Sequence, residues 1–256
     1  MSDTFTRTVQ RSFGRRAAHY DDHAQIQRAV AWRLARHCRD LPMPDGPCAD
    51  LGAGSGLLSL ALQVQRPDLK PAQIDLCLEL LARNPLAPPQ PASWDLNQGL
   101  PPELDGASLL LSSFALQWLA DPCGQLGHWC RQLRPGGWLA LAVPTATSFP
   151  QWRQAAEAAA VPWSGLALPV ANELLAVAER ELQLQQRHLL SFQRPSASPL
   201  GFLRSLCDLG AEASRTPPLG PAALRRLLAH WPLENRITWS VLLLIGQRPG
   251  TAHAPL

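Results

Sequence analysis

The chain has 256 residues, 46% hydrophobic and 17% charged, with a net charge of +3 and six cysteines. That is an ordinary globular balance, long enough for one large domain or a domain with a small cap, and it excludes a disordered chain. The modest charge argues against nucleic acid, whose binding needs a dense basic stripe, and with no CxxC there is no zinc or dithiol motif, so no metal site is expected.

The N-terminus, MSDTFTRTVQRSFGRRAAHY, lacks the apolar core of a signal peptide, and the longest apolar run, Val241–Ile245, is too short to cross a bilayer. These features predict a reduced, cytoplasmic protein, not a membrane one, acting as a monomer. All basic residues but Lys70 are arginine, and eight fall in the first 39 residues, Arg15 and Arg16 among them. Such a bias reads either as genome composition or as a selected basic face.

Apolar residues from Val9 to Leu34 recur at spacings of two to four, which predicts helix over 7–39. The Pro- and Gly-rich stretch 40–47 reads as a linker, separating an N-terminal segment 1–39 from a larger unit 46–256. Strand and helix then alternate. Strands are expected to end at Leu51 and Asp75 and ahead of Asp95, and to cover Ser108–Ser112, Trp138–Val143, Leu182–Phe192 and Ile237–Gly246. Helices are expected at Leu57–Gln65, Leu76–Arg83, Gly124–Leu133, Gln151–Ala160, Glu173–Glu181, Leu200–Leu209 and Ala222–His230, with a turn at RPGG, 134–137. Strands separated by helices indicate an α/β fold with a mostly parallel sheet covered on both faces. The helices at 199–230 are expected as an insertion that joins the N-terminal segment in a helical cap.

The stretch DLGAGSG, 50–56, carries glycines at 52, 54 and 56. Its GxGxG spacing differs from the GxGxxG of dinucleotide sites. Asp50, two residues ahead of the first glycine, would repel a pyrophosphate but suit a cation. Asp75, at the end of the second strand, stands where an acid accepts from ribose hydroxyls. Asp95 would follow the third strand, where an acid can accept from an adenine amine. Either of the last two could instead be a turn or helix-start residue. Together the three acids favour a ligand with a cationic group, a ribose and a base, and no phosphate, as in S-adenosylmethionine.

On DLGAGSG and QLRPGGWLAL, 132–141, the chain resembles the class I S-adenosylmethionine-dependent methyltransferases. The resemblance implies a Rossmann-like sheet of seven strands, mostly parallel with the last antiparallel. It implies a cofactor site made by Asp50, Gly52, Ala53, Gly54, Asp75, Leu76, Asp95, Leu96 and Ser112. Ser108 departs from it, since the fourth strand of that class often begins with Asp.

A narrower similarity rests on SFGRRAAHYDDHAQIQRAVAWRL (12–34), SSFALQWLADP (112–122), TSFPQW (147–152) and FLRSLCDLGA (202–211). These resemble the carboxyl methyltransferases that act on malonyl-acyl carrier protein in biotin synthesis. That resemblance implies methyl transfer to the free carboxylate of a malonyl thioester, with the acyl carrier protein as partner. No general base is required, because the carboxylate is already ionised. Tyr20 either donates to a ligand or packs between helices. Gln117 is assigned to the acceptor pocket and Trp118 to the core. His19, His23, His37 and His128 are assigned structural or surface places. Arg15, Arg16 and Arg153 are the candidate cations for the acceptor carboxylate, and Arg225 and Arg226 could add to a docking face for an acidic carrier. The alternatives are a methyltransferase for another small acid such as aconitate, a non-catalytic assembly factor that binds the same cofactor, and a related protein-arginine hydroxylase.

Overall fold

A computed structural model of the chain describes residues 4–232 and 236–250. The outermost positions of the ranges 1–39 and 46–256 therefore lie outside the described residues. The N-terminal segment is helical but broken. Helix α1 (Thr4–Arg16) runs through a short 3-10 turn into α2 (Tyr20–His23), and α3 (Gln25–His37) follows after Ala24.

Six strands form one sheet among the described residues: β1 (Cys48–Leu51), β2 (Ala72–Ile74), β3 (Ala107–Ser113), β4 (Leu133–Pro144), β5 (Gln183–Pro195) and β6 (Arg236–Gln247), in the order β2-β1-β3-β4-β6-β5. The first four are parallel to one another, and β6 runs antiparallel to both β4 and β5. The α/β class and the antiparallel last strand are as the sequence leads one to expect.

The count of seven strands is corrected to six. The missing one is the strand expected ahead of Asp95. The stretch PLAPPQPAS, 85–93, carries four prolines. Proline has no N–H for a ladder, so this stretch cannot pair as a strand. What remains is a single backbone bond, Trp94 N–H to Asp75 O at 2.9 Å. The residues RPGG differ from expectation too. They loop out of the start of β4, where the register with β3 shifts between Ala107 and Leu109, while Gly136 N–H donates to Arg248 O at 2.9 Å.

Side chains alternate across the central strands, as a period of two requires. Leu109 and Leu111 of β3, Trp138 and Ala140 of β4, and Leu243 and Ile245 of β6 share a core with Val30 and Leu34 of α3 and with Leu58 and Leu62 of α4 (Leu57–Gln65). Leu110, Leu139, Leu141, Leu242 and Leu244 face the other way. They pack on Leu126 and Trp129 of α6 (Pro122–Gln132) and on Leu174 and Ala178 of α8 (Ala171–Glu181). The result is a helix–sheet–helix sandwich. Helix α6 starts cleanly, with Asp121 accepting from Gly124 N at 2.9 Å and Pro122 in its first turn. The helix expected over 76–83 shrinks to α5 (Leu78–Leu81). Beyond β4, α7 (Pro150–Ala158), α9 (Pro199–Asp208) and α10 (Pro221–Ala229) pack together over one end of the α3/α4 core.

Candidate functional site

A cavity opens at the carboxyl ends of β1, β2 and β3, the place where open α/β sheets bind ligands. The glycine loop enters it directly. Gly52 N and Ala53 N donate to Ile74 O at 2.8 and 3.0 Å, tying the loop to the end of β2. Gly52 sits at φ 78°, and a Cβ there would lie 2.1 Å from the Cβ of Ala115, so no other residue fits. Gly54, at φ 52°, turns its N–H to Asp75 Oδ2 at 2.8 Å.

All three acids singled out from the sequence line this cavity, together with Gly52, Ala53, Gly54, Leu76 and Leu96. Asp75 is held by two backbone donors, Gly54 N and Cys77 N, each at 2.8 Å. Burial raises its carboxyl above the usual range, against the pull of those donors. Asp50 is 1% exposed and accepts from Ser59 Oγ at 2.7 Å. Burial pushes its carboxyl up to about 7, with Asp75 adding to the rise and the Ser59 bond opposing it. Asp95 Oδ1 accepts from Asn97 N at 3.0 Å and from Asn97 Nδ2 at 2.8 Å. No lysine, arginine or histidine is among the described lining residues. A cavity with three carboxylates and no cation favours a positively charged ligand and opposes a phosphate.

Ser112 is a correction. It lies on the β3 face that carries Leu110, so its hydroxyl points into the sandwich and donates to Leu51 O at 2.8 Å. The next residue, Ser113, faces the cavity instead, and its Oγ is buried without a protein partner. Strand alternation puts the two on opposite faces of β3. The N-terminal segment roofs the cavity. Gln10 Nε2 donates to Leu76 O at 3.1 Å, and Ser55 Oγ donates to Asp21 Oδ1 at 2.6 Å. Neither Gln10 nor Asp21 is marked by the sequence pattern.

A second chamber of about 300 Å³ adjoins the first. Phe13, Tyr20, Gln27, Phe114 and Trp118 line both. Tyr20 thus stands between the two, and burial with Asp21 and Asp75 nearby keeps its phenol protonated, well above the usual range. Gln117 lines the second chamber, while Trp118, expected in the core, is half-buried, packed against the small cluster of Phe5, Val9 and Ala213 and edge-on to Phe13 at 5.3 Å, with a face on both cavities. Among the described residues no arginine lines this chamber either. Arg15 and Arg16 are exposed, and Arg153 lies over the Trp163 ring at 4.1 Å. His128 Nε2 accepts from Leu100 N at 3.4 Å, a structural place.

The fold and site define a class, and comparison with known proteins agrees: residues 20–190 match the methyltransferase domain family, and the chain belongs to it. Within that class, it is 28% identical to the malonyl-[acyl-carrier protein] O-methyltransferase of Neorickettsia risticii over 254 residues, 97% of this chain and 99% of that one. It is 33% identical over 239 residues to the biotin biosynthesis bifunctional protein BioCD of Bordetella avium, covering 90% of this chain but about half, 50%, of that protein's length. The YcgJ protein of Bacillus subtilis shares the fold, with a TM-score of 0.58 at 14% identity over 87% of this chain and 100% of that one.

The methyl donor of this class is S-adenosylmethionine, and the residues present fit it. The acidic lining without a cationic side chain, the loop with no room for a Cβ at Gly52 and the unpartnered Ser113 hydroxyl all suit a cationic nucleoside.

Proposed function

We propose that the chain methylates the free carboxylate of a malonyl thioester carried on acyl carrier protein, an early step of biotin synthesis. The observation that carries this reading is the similarity to the Neorickettsia enzyme along nearly the whole of both chains. When bound, the cofactor would supply a methyl group on a sulfonium. Asp75 would accept from the ribose hydroxyls and Asp95 from the adenine amine, the Gly52–Gly54 backbone would let the ligand approach closely, and Asp50 would supply negative charge to its cationic end.

The acceptor would enter the second chamber, which Tyr20 shares with the cofactor cavity. Its carboxylate is ionised at neutral pH, so the site needs no general base. What it needs is a carboxylate oxygen held within about 3–3.5 Å of the methyl in a dry setting. Tyr20, still protonated, donates to that carboxylate. Phe114 and Trp239, with ring centroids 6.1 Å apart, help exclude water. The exposed arginines of α1 give an acidic carrier its docking face. The proposed acting unit is a monomer in the cytoplasm. No described helix is long and apolar enough to cross a membrane, and the six cysteines are free thiols, as a reducing compartment requires.

The test is incubation with methyl-labelled cofactor and, in parallel, malonyl-acyl carrier protein, malonyl-coenzyme A, free malonate and aconitate. Label in the malonyl ester of the carrier supports the reading. Label only in aconitate would replace it with the small-acid reading, and cofactor binding without label anywhere would replace it with a binding role.

A further inference from the structure

Four polar side chains are buried in a line that ends at the cofactor cavity: Asp50 of β1, Ser59 of α4, Gln73 of β2 and Asn84, which follows α5. None is more than 7% exposed. Their hydrogen bonds run one way. A backbone N–H can only donate, and Leu86 N–H donates to Asn84 Oδ1 at 2.9 Å. That sets the Asn84 amide, whose Nδ2 donates to Gln73 Oε1 at 2.8 Å. The Gln73 amide is set twice over, because its Nε2 also donates to Pro71 O at 2.6 Å, and a carbonyl oxygen only accepts. The same Nε2 donates to Ser59 Oγ at 3.0 Å. Ser59 then has one proton to give, and Asp50 Oδ2 receives it at 2.7 Å. While the line is intact, Asp50 Oδ2 is an acceptor, and any proton that Asp50 carries is left to Oδ1.

The line also accounts for the third glycine of DLGAGSG. Gly56 is not among the described residues that line the cavity. It lies at φ 89°, and a Cβ there would come 2.4 Å from Asn84 Oδ1. Its missing side chain makes room for Asn84, not for a ligand. Apolar side chains of the same shape would join these elements about as well, so the buried line calls for a role beyond packing. Its last member supplies one. An N–H that donates into a hydroxyl strengthens that hydroxyl as a donor in turn, and here the strengthened donor meets a buried carboxylate.

We propose that Ser59, Gln73 and Asn84 are positioning residues that hold Asp50 in its ionised, accepting form for the cationic end of the ligand. This rests on the proposed placement of that end at Asp50. Burial is the main cause that raises the Asp50 carboxyl, Asp75 at the end of β2 adds to the rise, and the Ser59 bond opposes both. From β3 the residue in register with Asp50 is Leu111. From the roof, Tyr20 stands protonated and Asp21 is engaged by Ser55 Oγ at 2.6 Å.

The experiment begins with the ligand-free protein. Ser59→Ala removes the donor to Asp50, and its native carboxyl should rise by roughly one to two further pH units, the worth of a hydrogen bond to a charged group. A carboxyl raised in the native state loses stability as pH climbs from its unfolded to its native value. In urea unfolding from pH 4 to 9, the parent's stability should therefore stop falling near the native value of about 7. That of Ser59→Ala should go on falling to roughly pH 8–9. Gln73→Met, similar in size but without the donor, should shift the same way by a smaller step. Ser59→Thr, which keeps a hydroxyl, should follow the parent. Calorimetry with S-adenosylmethionine should show the same order, with affinity at pH 7 roughly tenfold weaker in Ser59→Ala and recovered at higher pH. Stability curves that stay parallel to the parent's at every pH would mean packing alone, and would overturn the positioning role while leaving the cofactor site intact. Diverging stability curves with an unmoved affinity profile would take the ligand's cation away from Asp50, and would overturn that placement and the positioning role together.

Discussion

Asp50→Asn separates what the cofactor site costs from what it does. In the ligand-free native protein the Asp50 carboxyl is pushed from 3.8 to about 7, chiefly by burial. Below the lower value it is protonated whether the chain is folded or not. As pH rises toward the higher one, the unfolded chain gives up a proton that the native chain keeps, so stability falls. The gap is about three pH units, which at about 1.4 kcal/mol per unit comes to about 4 kcal/mol. Asparagine keeps an oxygen to accept from Ser59 Oγ and never ionises. The ligand-free variant should then be more stable than the parent at pH 8, by up to about 4 kcal/mol, and equal to it near pH 4. Urea unfolding at intervals from pH 4 to 8 reads this directly. Cofactor binding should move the opposite way. A cation binds the ionised carboxyl, so the parent's affinity should climb until about pH 7 and level off, and the variant's should be weaker with a flatter profile. Parallel stability curves for the two proteins, or equal affinities at pH 8, would refute the placement of a strained carboxyl beneath the ligand.

Other changes address the rest of the site. Asp75→Ala removes the acceptor for Gly54 N and Cys77 N and, on the proposed reading, for the ribose, and calorimetry should show cofactor affinity weakened by roughly 1.5–3 kcal/mol. Gly54→Val forces a branched side chain into φ 52° within 4.0 Å of Asp75 Oδ2, and should abolish cofactor binding in a protein that still unfolds cooperatively. If an acidic carrier docks on α1, its KM should rise with salt, as the Debye length shrinks from about 10 Å at 0.1 M to about 3 Å at 1 M. Arg15→Glu with Arg16→Glu should raise that KM further while leaving the KM for the cofactor unchanged, and a flat KM in both experiments would remove the docking face.

The parts of the site legible in the sequence are those where one residue type has few substitutes. Glycines at 52 and 54 are required by backbone angle and by close approach, and Asp50 and Asp75 stand at the ends of β1 and β2, so the loop and these two acids stand out, whereas Asp95 caps the short helix Leu96–Gln98, the helix-start place its residue type equally allows. The same rules account for the failures. A pattern of strand, helix and acid suggested a strand before Asp95, although the prolines at 85, 88, 89 and 91 remove the donors a strand needs. Ser112 and Ser113 differ only in which face of β3 they occupy. That depends on register, which Leu110 and Leu111 cannot reveal because both are fully buried on opposite faces. Tryptophan's usual burial points Trp118 to the core, but it packs only at the margin of the small cluster of Phe5, Val9 and Ala213, with its other side on the two cavities. The ties made by Gln10 and Asp21 join parts of the chain 66 and 34 residues apart, and no local pattern encodes such a bond.

The five side chains common to both cavities also bear on how this protein could be redesigned. Because Phe13, Tyr20, Gln27, Phe114 and Trp118 belong to the walls of both chambers, a change at any of them reshapes two cavities at once. Leu203 and Leu206 of α9 and Leu224 and Leu227 of α10 line the second chamber alone. On the proposed division of the two chambers, these helices are therefore the place to widen or narrow the range of acceptors by directed evolution, since libraries confined to them leave the walls of the glycine-loop cavity as they stand.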